Sequence, residues 1–160
     1  MLHKQTYRAL TVKGLMGTGL NIKRDRTYLA FVAGTGILPF MDLIALMAKG
    51  GSDLGSKFKL ALFASFHTRA DALGIELLEA LNAKQKSSGK FFELHLRIKS
   101  ELKGQQARWD ADFISKQVEA NAKATKIFVC GPPSMNELFD RTIEPLIQSK
   151  IVSRSQVDIL

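Results

Sequence analysis

With 160 residues and 46% apolar side chains, the chain is long enough for one globular domain with a full core. Its single cysteine, Cys130, excludes a disulfide framework and any cysteine-built metal centre, and His3, His67 and His95 are too scattered to suggest a metal. The net charge of +8 favours anionic ligands or surfaces, but it is spread without a dense basic tract, so nucleic-acid binding is not expected.

The N-terminus carries no secretory leader pattern, so an intracellular protein is expected, cytoplasmic or facing an organelle, and not a secreted one. Tyr7 to Lys13 alternates in the manner of a strand, and Gly14 to Gly19 reads as a glycine-rich bend. A lone strand is unstable. It either joins an edge of the main sheet or is the last strand of a domain absent from this chain; the second is favoured. Residues 1–20 are therefore read as a linker or remnant strand, and 21–160 as one domain.

Tyr28 to Ala33 is a near-continuous apolar run, as expected of a parallel strand covered on both faces. Gly34-Thr35-Gly36 follows as a tight turn, and Pro39 suits the first position of a helix. Such a turn aims backbone N–H groups at one point and favours a phosphate. A hydropathy window flags Tyr28 to Ala48 as a membrane span, but Gly34, Gly36, Pro39 and Asp42 interrupt it, and a strand–turn–helix accounts for each. Gly50 to Asp53 ends that helix.

Lys57 to Ala64 reads as the second strand. Thr68 and Asp71 resemble a capping box opening a helix that runs to about Lys86, with Leu73, Leu77, Leu78 and Leu81 as its apolar stripe. Ser87 to Gly89 turns into a third strand, Phe91 to Arg97. A polar loop from Ser100 to Arg108 leads through Trp109 to Ile114 into a helix starting near Ser115. Lys126 to Cys130 is the fourth strand. Gly131-Pro132-Pro133 then opens a helix with Ser134 and Glu137 as its capping box, which Pro145 should kink or end. Gln156 to Ile159 is a short last strand. Strands alternating with helices imply an α/β fold with a parallel sheet covered on both faces.

Ligands of open α/β sheets sit beyond the carboxyl ends of the strands, where strand order reverses. In the order 3-2-1-4-5, the Gly34–Pro39 turn and the Cys130–Pro133 turn leave neighbouring strands and face one crevice. Each turn alone is ambiguous: glycine after a strand often serves tight packing, and a cysteine there is often an inert core residue. Together they point to one site.

These motifs resemble the nicotinamide-dinucleotide-binding domain of the ferredoxin–NADP reductase superfamily, its cytochrome b5 reductase branch in particular, over most of the chain. The resemblance implies a Rossmann-like five-stranded sheet. Gly34, Thr35, Gly36, Ile37 and Pro39 look like the family's glycine turn, which receives the pyrophosphate and nicotinamide ribose. Cys130, Gly131, Pro132, Pro133 and Met135 look like its second motif, whose cysteine lies beside nicotinamide and flavin. Leu62 to Ser65 matches the strand end bordering the adenosine, Trp109 to Ser115 is similar to the segment before the third helix, and Gly14 to Gly17 resembles the exit from the flavin domain. The chain departs from the pattern at Ala33 and Asp112, where glycine is frequent, at Ser134, where a third proline is common, and at Leu160, where an aromatic often ends the family.

What the resemblance implies is an NAD(P)H-dependent flavoprotein reductase represented by its nucleotide domain. NADH or NADPH would bind here, and FAD would be held by a flavin-binding domain that this chain lacks. The electron acceptor would be a haem or other redox protein, and the parent protein could be membrane-associated. Thr35 would bond phosphate or ribose, and Cys130 would align nicotinamide with flavin, a matter of orientation while the cofactors carry the chemistry. Ser65, His67 and Arg69 sit in the loop after the second strand, where a carboxylate favours NADH and arginine the 2′-phosphate of NADPH; Asp71, slightly further on, is read as a helix cap. His67 and Arg69 lean towards NADPH. Two other readings stay open: a non-catalytic structural subunit of a larger assembly that keeps the fold, and a polyanion-binding protein inferred from charge alone.

Overall fold

The computed structural model describes residues 19–88, 91–102 and 109–160. The strand expected at 7–13, most of the glycine bend after it and most of the polar loop near 100–108 lie outside the described residues. In chain order the elements are β1 (Thr27–Ala33), α1 (Met41–Ala48), β2 (Lys59–Phe66), α2 (Ile75–Ser88), β3 (Phe92–Ile98), α3 (Ala111–Ala120), β4 (Lys126–Cys130), α4 (Pro133–Gln148) and β5 (Val157–Ile159). The strands form one parallel sheet in the order β3-β2-β1-β4-β5, which is the expected order.

β1 is the centre of the sheet because it is paired on both edges and buried on both faces. Successive strand side chains point to opposite faces. Tyr28, Ala30 and Val32 accordingly pack with Leu43, Ile44 and Met47 of α1 and Leu78 and Leu81 of α2. Leu29 and Phe31 pack with Ile114 and Val118 of α3 and Phe139 and Ile143 of α4. Phe31 is fully buried, its ring centroid 4.7 Å from Phe139, 4.8 Å from Phe63 and 5.6 Å from Trp109. Among the described residues no helix is long and apolar enough to cross a membrane.

Several element boundaries differ from expectation, each for a local reason. Pro39 does not open the first helix; Gly34–Phe40 forms a 3-10 segment around it, and α1 starts at Met41. Ile37 and Phe40, three apart and both buried, suit the three-residue repeat of that segment. β2 starts and ends two residues later than expected. The Lys57 N–H is held by the Asp25 carboxylate at 2.9 Å, sheet pairing opens with Lys59 N–H to Arg26, and Phe66 pairs with Ile98 and is buried.

Thr68 and Asp71 do bond each other, the Thr68 N–H at 3.1 Å and its hydroxyl at 2.7 Å from the same Asp71 oxygen, but they close a turn, not a helix. Gly74, at φ +69°, separates that turn from α2, so Leu73 drops off the apolar stripe and stays exposed. α3 begins four residues before the expected Ser115, because the Asp110 side chain caps it by accepting from the Phe113 N–H at 2.8 Å. In α4, Pro133 takes the first position and Pro132 precedes it without a side-chain cap, so Ser134 and Glu137 form no capping box. Pro145 neither ends nor breaks the helix near its site; α4 continues to Gln148, held to the core by buried Ile143 and Leu146. β5 opens at Val157 because Gln156 bonds the carbonyls of Ala122 and Ala124 through its side chain.

Candidate functional site

The carboxyl ends of β1, β2, β3 and β4 open on a cleft of about 760 Å³. Its floor is the start of the segment after β1, Ala33 to Gly36, with Leu38 and Pro39 further along it. One wall is Cys130-Gly131-Pro132 at the end of β4; the other is Ser65, Phe66 and His67 at the end of β2, with Lys99 just past β3.

Two glycines make this floor. Gly34 takes φ +54°, a left-handed backbone that starts the turn and that side-chain-bearing residues rarely adopt. Gly36 solves a different problem: a Cβ there would run into the Cys130 carbonyl oxygen and carbonyl carbon. The β1 turn and the β4 end are thus in direct backbone contact, and glycine is what allows it. Parallel pairing of Val32 with Cys130 sets the register that brings them together.

Cys130 is a half-buried free thiol on the cleft wall. Burial pushes its pKa above the ordinary thiol value, so it is protonated and uncharged at neutral pH. Thr35 is exposed on the floor, with its hydroxyl free to reach a ligand. On the opposite wall the Ser100 N–H donates to the His67 carbonyl at 3.0 Å, tying the exits of β2 and β3 together.

The expected site residues divide into groups. Gly34, Thr35, Gly36, Pro39, Ser65, His67, Cys130, Gly131 and Pro132 line the cleft. Ile37 points the other way, fully buried among Val32, Phe40 and Ile44. Met135 lines a separate cavity of about 160 Å³ on the α3–α4 face, which shares Ala33, Ser65 and Pro132 with the cleft. Pro133 is exposed at the first turn of α4 and lines neither cavity. Ser65 is still within β2 and does not belong to the loop after it.

Arg69 requires correction. It does not line the cleft, and its guanidinium is bonded to Glu101 at 2.8 Å and Glu79 at 3.0 Å. Those two carboxylates raise its pKa and hold its charge on the outer surface. Lys99, which sequence reasoning missed, is the Lys or Arg that lines the cleft among the described residues. A lysine after a strand reads as a solvated charge; only the adjacency of β3 and β2 puts it one residue past the Phe66–Ile98 pair, beside His67.

The geometry suits a long, flexible anion: a glycine-floored turn at the middle, an uncharged thiol wall on one side, and hydroxyl, imidazole and ammonium groups on the other. No Asp or Glu lines it among the described residues.

Comparison with known proteins agrees. Residues 31–141 match the family model described as the oxidoreductase NAD-binding domain. NADH-cytochrome b5 reductase 2 of Scheffersomyces stipitis is 34% identical over 102 residues, covering 64% of this chain and 33% of that protein. The protein of the same name from Yarrowia lipolytica is 31% identical over 117 residues, covering 71% of this chain and 38% of that one. The chain thus spans about a third of the length of these curated relatives. The cytochrome b5 reductase domain of Ulva prolifera nitrate reductase superposes with a TM-score of 0.62 at 19% identity, over 84% of this chain and 48% of that one. The CS-b5R domains of human Ncb5or give 0.63 at 21% identity, over 84% and 36%. At those identities the structures establish the fold. With the matched family spanning both cleft-forming turns, the chain belongs to the oxidoreductase NAD-binding domain family and is similar, over that domain, to cytochrome b5 reductases.

Proposed function

We propose that this chain binds a reduced nicotinamide dinucleotide, NADH or NADPH, and positions it for hydride transfer to FAD held by a separate flavin-binding domain. The carrying observation is the contact of Gly36 with the Cys130 carbonyl, which brings the β1 turn and the β4 end together on one cleft. When bound, the nicotinamide supplies the hydride and the flavin accepts it; the protein's task is placement.

The residues divide that task. Gly34 and Gly36 let the diphosphate approach the backbone, and Thr35 offers a hydroxyl to phosphate or ribose. α1 begins at Met41, which does not line the cleft, so residues of the 3-10 segment before it supply the floor. Cys130, kept neutral by burial, gives the nicotinamide a small polarizable wall without a competing charge. No general base is required for hydride transfer, and the described cleft residues include no carboxylate to act as one.

The names of the curated relatives support a haem-type acceptor such as cytochrome b5. The test is anaerobic mixing of the chain with an FAD-loaded flavin domain, following flavin bleaching. NAD(P)H-dependent bleaching that needs this chain supports the proposal; nucleotide binding without any bleaching indicates a structural, non-catalytic role.

A further inference from the structure

We infer that His67 and Lys99 form a subsite for the 2′-phosphate of the adenosine ribose, so that this chain takes NADPH in preference to NADH. The inference rests on the dinucleotide reading above and names its substrate more closely.

The cleft runs across the strand ends from β4, through the β1 turn, to β2 and β3. With the nicotinamide against Cys130 and the diphosphate over Gly34 to Gly36, the adenosine ribose reaches the β2–β3 wall. A site that selects the unphosphorylated ribose places a carboxylate there to accept from the 2′-hydroxyl. This wall has none. Asp71, the nearest carboxylate in sequence to the β2 exit, does not line the cleft, and one of its oxygens accepts from the Thr68 N–H and hydroxyl. Glu101, two residues past Lys99, is bonded to Arg69.

What the wall does have is donors. Lys99 is exposed and lines the cleft, and its ammonium has no ion-pair or hydrogen-bond partner among the described residues. His67, a ring N–H donor in any protonation state, lines the same wall, with the Ser100 N–H bonded to its carbonyl. An uncommitted ammonium beside a donor ring suits a phosphate monoester. The competing cation, Arg69, is neutralised outside the cleft by two glutamates. The names of the curated relatives specify NADH, so the wall predicts a cofactor preference opposite to theirs.

Calorimetric titration of the whole chain with NADPH, NADH and 2′,5′-ADP tests the inference, with Lys99→Glu and Lys99→Met as variants. Both substitutions are at an exposed position, and a melting curve on each confirms folding. NADPH should bind at least tenfold more tightly than NADH, and 2′,5′-ADP should compete with it. Lys99→Met should weaken NADPH about tenfold and leave NADH within twofold, and Lys99→Glu should reverse the preference. Equal affinity for the two nucleotides, tighter NADH, or equal losses for both in the variants would overturn the subsite while leaving the dinucleotide reading intact. Binding of neither nucleotide at millimolar concentration would overturn both.

Discussion

The carbonyl oxygen of Cys130 occupies the space that a side chain on residue 36 would need. One backbone contact therefore connects the turn after β1 to the end of β4, and substitution at Gly36 should act on both. In Gly36→Ala the Cβ meets backbone atoms and cannot be relieved by rotating a side chain. Overpacking of this kind costs about 1–3 kcal/mol. Denaturant melts should show that loss, and calorimetry should show nucleotide affinity falling tenfold or more. Unchanged affinity at full stability would mean the contact is incidental.

Cys130 gives a pH prediction. Burial raises the folded thiol pKa above its unfolded value, so its contribution to stability is complete below the unfolded pKa and fades as pH rises through the folded one. The melting temperature of the parent chain should fall more steeply than that of Cys130→Ser as pH rises above about 8.5. Iodoacetamide should react slowly at neutral pH, and more slowly still when nucleotide fills the cleft. Reaction as fast as a free thiol would contradict the placement.

Arg69→Ala should leave the affinity for both NADH and NADPH within twofold, because the guanidinium is bonded to Glu79 and Glu101 away from the cleft. Its exposed ion pairs should contribute little to the melting temperature. A selective loss of NADPH in this variant, matching that of the Lys99 variants, would return the phosphate subsite to Arg69.

Phe31→Ala tests the core beneath the site. The ring is fully buried against Phe63, Trp109 and Phe139, and deleting such a side chain costs about 3–5 kcal/mol. Because β1 runs directly into Gly34, resistance to chemical denaturation and nucleotide affinity should decline together. A loss under 1 kcal/mol, against the expected range of about 3–5, would mean that the α3–α4 layer packs differently.

Much of this was legible before any coordinates. Buried parallel strands show as apolar runs, so Tyr28–Ala33 and Lys126–Cys130 mark the central pair, and alternation with helices implies a parallel sheet, whose order follows that of doubly wound folds. Thr68 and Asp71 were correctly paired but assigned to the wrong structure, since a local side-chain bond looks the same in a turn and at a helix start. The positive φ of Gly74, which decides between them, is not encoded in the residue type. Asp110 and Pro133 moved helix starts through capping choices that neighbouring candidates such as Ser134 obscured. Arg69 and Lys99 could not be sorted by sequence because their partners are remote: Arg69 meets Glu101 across the β2–β3 exits, and Lys99 meets the cleft through strand order alone.

The most direct test of the central claim is the thermal stability of the unaltered chain with and without NADPH or NADH. A ligand at ~100 times its dissociation constant stabilises the folded state by about 2.7 kcal/mol. The account predicts a saturable rise in melting temperature with at least one of the two nucleotides, lost in Gly36→Ala. No rise with either at millimolar concentration would contradict it.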